Sequence, residues 1–167
     1  MFIVDIQGFQ YKESEFIIRE IAIYDIESNM IDHALIKLQH AVTWFSPDVR
    51  KHMQWCTNNI HGLEWKEKDD TGNSNNICKP VYLPQESIGN YLKDIIGNNT
   101  ILVKGLNKKK ALEKFLCNTI IDMDKFNCPN IDSLSNCNLD THCGEHINNT
   151  LNCAKNNVCA LYSWFVK

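Results

Sequence analysis

The chain has 167 residues, 44% apolar and 22% charged, with a net charge of −3 at pH 7. That length buries a core without crosslinks, and that composition is ordinary for a globular protein and argues against disorder. No run approaches the ~20 apolar residues of a membrane span, and the opening MFIVDIQGF carries an acid where a secretory signal carries basic residues. The expectation is one domain over 1–167, intracellular (cytoplasmic or nuclear), with no membrane partner.

Phe2–Ile6 is a β-prone run that reads as a buried strand, and Glu15–Asp25 should pair with it as a hairpin. His33–His40 alternates through Ala34, Ile36 and Leu38, a third strand. Ser46-Pro47-Asp48 is a helix start, with Ser at the N-cap and Pro in the first turn, and Val49, His52, Met53 and Cys56 follow on one face. Lys66–Pro80 is polar and broken by Gly, Asn and Pro, hence a loop. Ser87–Ile96 is helical in pattern and Thr100–Gly105 a short strand. A helix through Ala111, Phe115 and Leu116, a strand at 118–124 and a closing helix through Leu151, Ala154, Val158, Leu161 and Phe165 complete the chain. An α/β fold follows, with three antiparallel strands extended by two parallel ones into a mixed five-stranded sheet flanked by helices.

Charge is unevenly spread. Residues 104–114 hold five lysines against one glutamate, so the rest of the chain sums to −7. Lys104, Lys108, Lys109 and Lys110 form a local basic patch that could meet phosphate, or a solvated helix face. Six of the eight cysteines and two of the six histidines follow residue 116. In a reducing compartment they are thiols or metal ligands rather than disulfides. Cys143-x-x-His146 followed by Cys153 has zinc spacing, with Cys128 as the expected fourth ligand of a structural site. His142, Cys137 and Cys159 compete for a place in it, and Cys117, Cys128, Cys153 and Cys159 also read as small buried hydrophobes.

FIVDIQGFQYKESEFIIREIAI resembles the first motif of the DEDDh 3′–5′ exonucleases, within the ribonuclease-H-like fold. Asn59-Ile60-His61-Gly62-Leu63 is similar to that family's His-Gly-Ile turn, and LPQESIGNYLKDIIGNNTILVKG with KKKALEKFL to its second-motif region. Leu139-Asp140-Thr141-His142-Cys143 and NCAKNNVCAL are similar to the approach to, and the body of, its third motif. The resemblance implies a site of four carboxylates holding two divalent metals, and here most of them are missing. Asp5 is kept and Gln7 stands for glutamate. Lys110 or Leu112 stands near the second-motif aspartate, Asn152 at the histidine and Asn157 at the final aspartate. One carboxylate does not hold two magnesium ions, so these residues are read as vestigial, with Asp122, Asp124 or Asp132 the only candidates to rescue a metal.

Lost carboxylates beside a Cys/His cluster also resemble the Maelstrom domain and its Glu-Cys-His-Cys zinc set. Cys143, His146 and Cys153 fit that set, while its Glu has two loose counterparts, Gln7 and Glu20. This resemblance implies single-stranded RNA binding or metal-independent cleavage. The expected function is therefore a pseudonuclease that binds nucleic acid, single-stranded RNA or DNA, and is stabilised by zinc. A protein-interaction module and a residual nuclease are the alternatives. Trp44, Trp55 and Trp65 are candidate stacking surfaces or core.

Overall fold

Alternation along the first strand decides how the layers stack. In the computed structural model, which describes residues 1–12, 15–65, 81–134, 143, 145–147 and 152–167, β1 (Phe2–Lys12) pairs antiparallel with β2 (Glu15–Asp25). β2 pairs antiparallel with β3 (Ile31–Lys37) and β3 runs parallel to β4 (Val81–Pro84). On the other side β1 is parallel to β5 (Ile101–Val103), and β5 to β6 (Ile120–Asp122). The order β4-β3-β2-β1-β5-β6 makes a mixed sheet of six strands, with β1 in its interior as expected. The sixth strand is the departure from the expected five. β4 is a four-residue edge segment ending in Pro84, and its half-exposed burial gave the sequence no apolar run to display.

Phe2, Val4 and Ile6 face one layer, formed by α2 (Ile88–Ile96) and α3 (Leu106–Leu112) through Ile88, Leu92, Ile96, Ala111 and Leu112. Ile3, Asp5 and Gln7 point the other way, toward α4 (Ala154–Phe165), whose Ala154, Val158 and Leu161 pack on Ile3, Ala22 and Leu102. α1 (Pro47–Cys56) covers the far end of the same face around Phe9, Met53 and Cys56. It passes into a π-helical turn at Thr57–His61 that stops at Gly62, whose φ of 67° is left-handed.

The hairpin is not regular. Gln7 pairs with Glu20 but Gly8 pairs with Ile18, so Arg19 is an extra residue on β2. The bulge switches the parity of β2, which lets Ile18 join Ile21 and Ile23 on one face while Glu20 turns to the other with Ala22 and Tyr24. Gly8 makes this close approach feasible: a Cβ there would lie 2.0 Å from the Ile17 carbonyl oxygen. Among the described residues no helix is long and apolar enough to cross a membrane. The expected 66–80 loop, Cys137, Leu139, Asp140, Thr141, His142 and Leu151 lie outside the described residues.

Candidate metal centre and the adjoining cleft

The bulge aims Glu20, which is fully buried, at the start of α4. Its Oε2 accepts the Ala154 N–H at 2.9 Å, so a carboxylate from β2 caps a helix more than 130 positions away in sequence. Four further groups converge on its other oxygen. His33 Nε2 lies 2.9 Å from Oε1, Cys153 Sγ 3.3 Å, His146 Nε2 3.4 Å and Cys143 Sγ 3.5 Å. A carboxylate oxygen has about two lone pairs to offer, so four contacts are more than a hydrogen-bond network needs. They are the geometry of donors gathered around a point. The ligand atoms of Glu20, Cys143, His146 and Cys153 all lie within 4.8 Å of one another, and this group could hold a metal ion.

The surroundings fix that arrangement. His146 Nδ1 donates to the His61 carbonyl, which leaves Nε2 facing Glu20 and the two sulfurs. Ile147 N donates to Gly62 O and Asn152 N to Ile60 O, both at 2.8 Å, so the turn after α1 clamps the segment that carries the ligands. Burial opposes ionisation of Glu20. Hydrogen bonds from His146 and His33, the charge on His146 and the Ala154 N–H outweigh it and hold the carboxyl well below its usual range. Cys153 is pushed down to about 5, first by the hydrogen bond with Cys143, against burial and with help from His146. Cys143 moves up in exchange, because that hydrogen bond holds its proton and burial adds to the effect. Burial works against a charged His146, yet contacts with Cys153 and Glu20 raise it to about 10. The pocket stabilises positive charge.

Cys128 is a correction. It is buried beside Met123 and Leu102, its thiol donates to Pro129 O at 3.6 Å, and it does not belong to the cluster. It follows β6 and the short turn Met123–Phe126, and packs in the core under α4. Glu20 takes the place expected for it. Cys159 is likewise core, packed with Val158 and Leu161, and Cys117 is exposed.

Beside the cluster, on the same face, Asp5, Gln7 and Asn157 come together. Asp5 is fully buried and its Oδ2 accepts Gln7 Nε2 and Asn157 Nδ2, each at 2.9 Å. Its Oδ1 accepts Lys108 Nζ at 2.5 Å. Burial pushes the Asp5 carboxyl up, opposed by Lys108 and Asn157. The lysine of α3 that meets Asp5 is Lys108. Lys110 is exposed, and Leu112 is buried in the opposite layer.

Gln7, Lys104, Lys108, Asp124, Asn152 and Asn157 line an open cleft of about 380 Å³. Lys104 pairs with Asp124 and donates to Cys128 O at 2.8 Å, while Lys109 lies 3.6 Å from Glu113. The basic patch is therefore largely paired with the chain's own acids. Asp122 accepts Gly105 N and Asp124 N, which turns its carboxylate to the backbone. Asp132 lines the cleft. Trp55 is exposed on α1, and Trp44 and Trp65 lie apart from the cleft. Sequence reasoning missed His33 and the His61 carbonyl. The His61-Gly62 pair was the available signal, since a left-handed Gly after a helix exposes the last carbonyls. No protein-family model matches this chain, and no curated protein matches it significantly.

Proposed function

We propose that this chain is a nuclease-like domain of the DEDDh, ribonuclease-H-like kind that has exchanged catalysis for binding. Zinc would hold it together, and single-stranded RNA would lie in its cleft. The observation that carries this reading is the Asp5–Lys108 pair. In the exonucleases an aspartate at this point of the first strand binds a divalent cation, and here a lysine ammonium supplies the compensating charge. A tethered ammonium neutralises the acid and can touch a phosphate, but it activates no water. The amides of Gln7, Asn152 and Asn157 add neutral donors along the same cleft.

Two sulfurs, an imidazole nitrogen and a carboxylate oxygen make a four-ligand set that suits tetrahedral zinc and not magnesium. Glu20, Cys143, His146 and Cys153 would hold the ion, which would supply folding energy by tying β2 to the start of α4. All four positions belong to the chain, so the role is structural.

The binding test is fluorescence anisotropy of labelled single-stranded RNA at two salt concentrations. Lys108→Gln with Lys110→Gln should weaken binding and flatten the log–log salt slope by roughly 0.7 per lysine that meets a phosphate. Unchanged affinity and slope would remove the reading. A protein-binding module is the second reading, favoured by the pairing of Lys104, Lys108 and Lys109 with acids, which leaves little free positive charge.

A further inference from the structure

Away from the candidate metal centre and the cleft, the turn end of the β1–β2 hairpin, the residues just after β3 and the turn at Val42–Trp44 line a second cavity of about 170 Å³. Its floor is Phe45, which is buried. Three rings stand nearly upright around that floor. Tyr11 lies 5.1 Å from Phe45 at 76°, Trp44 5.1 Å at 87° and Trp65 5.0 Å at 78°. Two of the walls are braced. Trp65 Nε1 donates to the His40 carbonyl at 3.1 Å, and the His40 ring stacks on Trp44 at 4.5 Å. Glu15 adds a carboxylate to the lining, and neither Lys nor Arg is among the described lining residues.

Aromatic faces carry negative partial charge, and several of them set at steep angles around one small space attract a cation that is too weakly hydrated to prefer water. Methylated ammonium groups are such cations. A bare lysine ammonium is better hydrated, and a neutral group of the same shape gains nothing from the ring faces or from Glu15. Size narrows the class further. At about 170 Å³ the cavity is well below the roughly 300 Å³ at which pockets begin to take drug-sized ligands. It suits a head group rather than a nucleoside. We propose that Tyr11, Trp44, Phe45 and Trp65, with Glu15, form a cage that binds a methylated ammonium group, as carried by a methylated lysine side chain or by a free choline-type molecule. The site is separate from the RNA cleft and does not depend on it.

The test is titration of the full chain, followed by the indole N–H signals of Trp44 and Trp65. The ligands are a short uncharged peptide carrying trimethyl-lysine, the same peptide with plain lysine, the same peptide with the neutral tert-butyl isostere, and choline. Trimethyl-lysine should bind roughly tenfold tighter than the isostere. Tighter binding of the peptide than of choline assigns the site to a protein tail, and the reverse to a free head group. Trp44→Ala removes a ring that is 62% exposed, so the fold should survive while affinity falls at least tenfold. Equal binding of the isostere would overturn the proposal, as would no response up to about 10 mM ligand. A nucleoside monophosphate that shifts the same indoles when trimethyl-lysine does not would also overturn it, in favour of base stacking.

Discussion

Two buried acids, Asp5 and Glu20, lie on the same face of adjacent strands and have opposite fates. Glu20 is held ionised by His146, His33 and a helix N-terminus, whereas burial drives Asp5 toward its neutral form and Lys108 restrains that drift. Removing Lys108 should therefore expose the cost. Lys108→Met is expected to destabilise the fold by about 3 kcal/mol near neutral pH, because it leaves a buried carboxyl without its counter-charge. The sign of the pH dependence follows from the raised value of Asp5. A carboxyl whose folded value lies above its unfolded value of about 3.9 binds its proton more tightly in the folded state. Its stabilisation is complete below the unfolded value and is lost as pH rises through the folded one. The difference between Lys108→Met and the parent should accordingly shrink as the pH is lowered from neutral, read from urea melts across a pH series. A constant difference would mean that the pair is not what holds Asp5.

At the scale of elements, the bulge in β2 links backbone to site. Gly8→Ala would drive a Cβ into the Ile17 carbonyl, so the bulge must open, at a cost of about 3 kcal/mol or more. Glu20 is the residue next to the bulge, so the same variant should also weaken metal binding, which a colorimetric zinc competition would read. The core strands were legible in the sequence because residues 2–6, Asp5 apart, and 21–24 are continuous apolar runs, and α4 because its 3/4 spacing is kept. The bulge was not, since Ile18, Ile21 and Ile23 read as an ordinary β-branched run, and parity is a property of pairing rather than of one strand. Of the four residues that could hold a metal, three were read from the sequence. Cys143, His146 and Cys153 lie within eleven positions and announce themselves by spacing. Glu20 is brought in by the sheet, and no local spacing distinguishes it from any other strand glutamate. Cys128 had the chemistry, but its side chain packs into the core outside the cluster.

For the molecule as a whole, the Glu20–Cys143–His146–Cys153 cluster joins the sheet, the turn after α1 and the start of α4, three parts that are distant in sequence. If the cluster holds the proposed zinc, removing the ion should loosen all of them together. Because the binding energy of a structural metal is folding energy, losing it should cost about 3 kcal/mol or more, roughly 6–12 °C in Tm for a chain of this size. Cys128→Ala should cost only the ordinary price of a small core cavity and leave metal content unchanged. The most direct measurement is zinc content per chain together with Tm, for the parent protein, Glu20→Gln and Cys128→Ala. We expect about one zinc in the parent and in Cys128→Ala, and in Glu20→Gln a loss of zinc with a fall in Tm matching that produced by a chelator. A zinc-free parent whose Tm ignores the chelator would contradict the account, and so would a Cys128→Ala protein that loses its metal while Glu20→Gln keeps it.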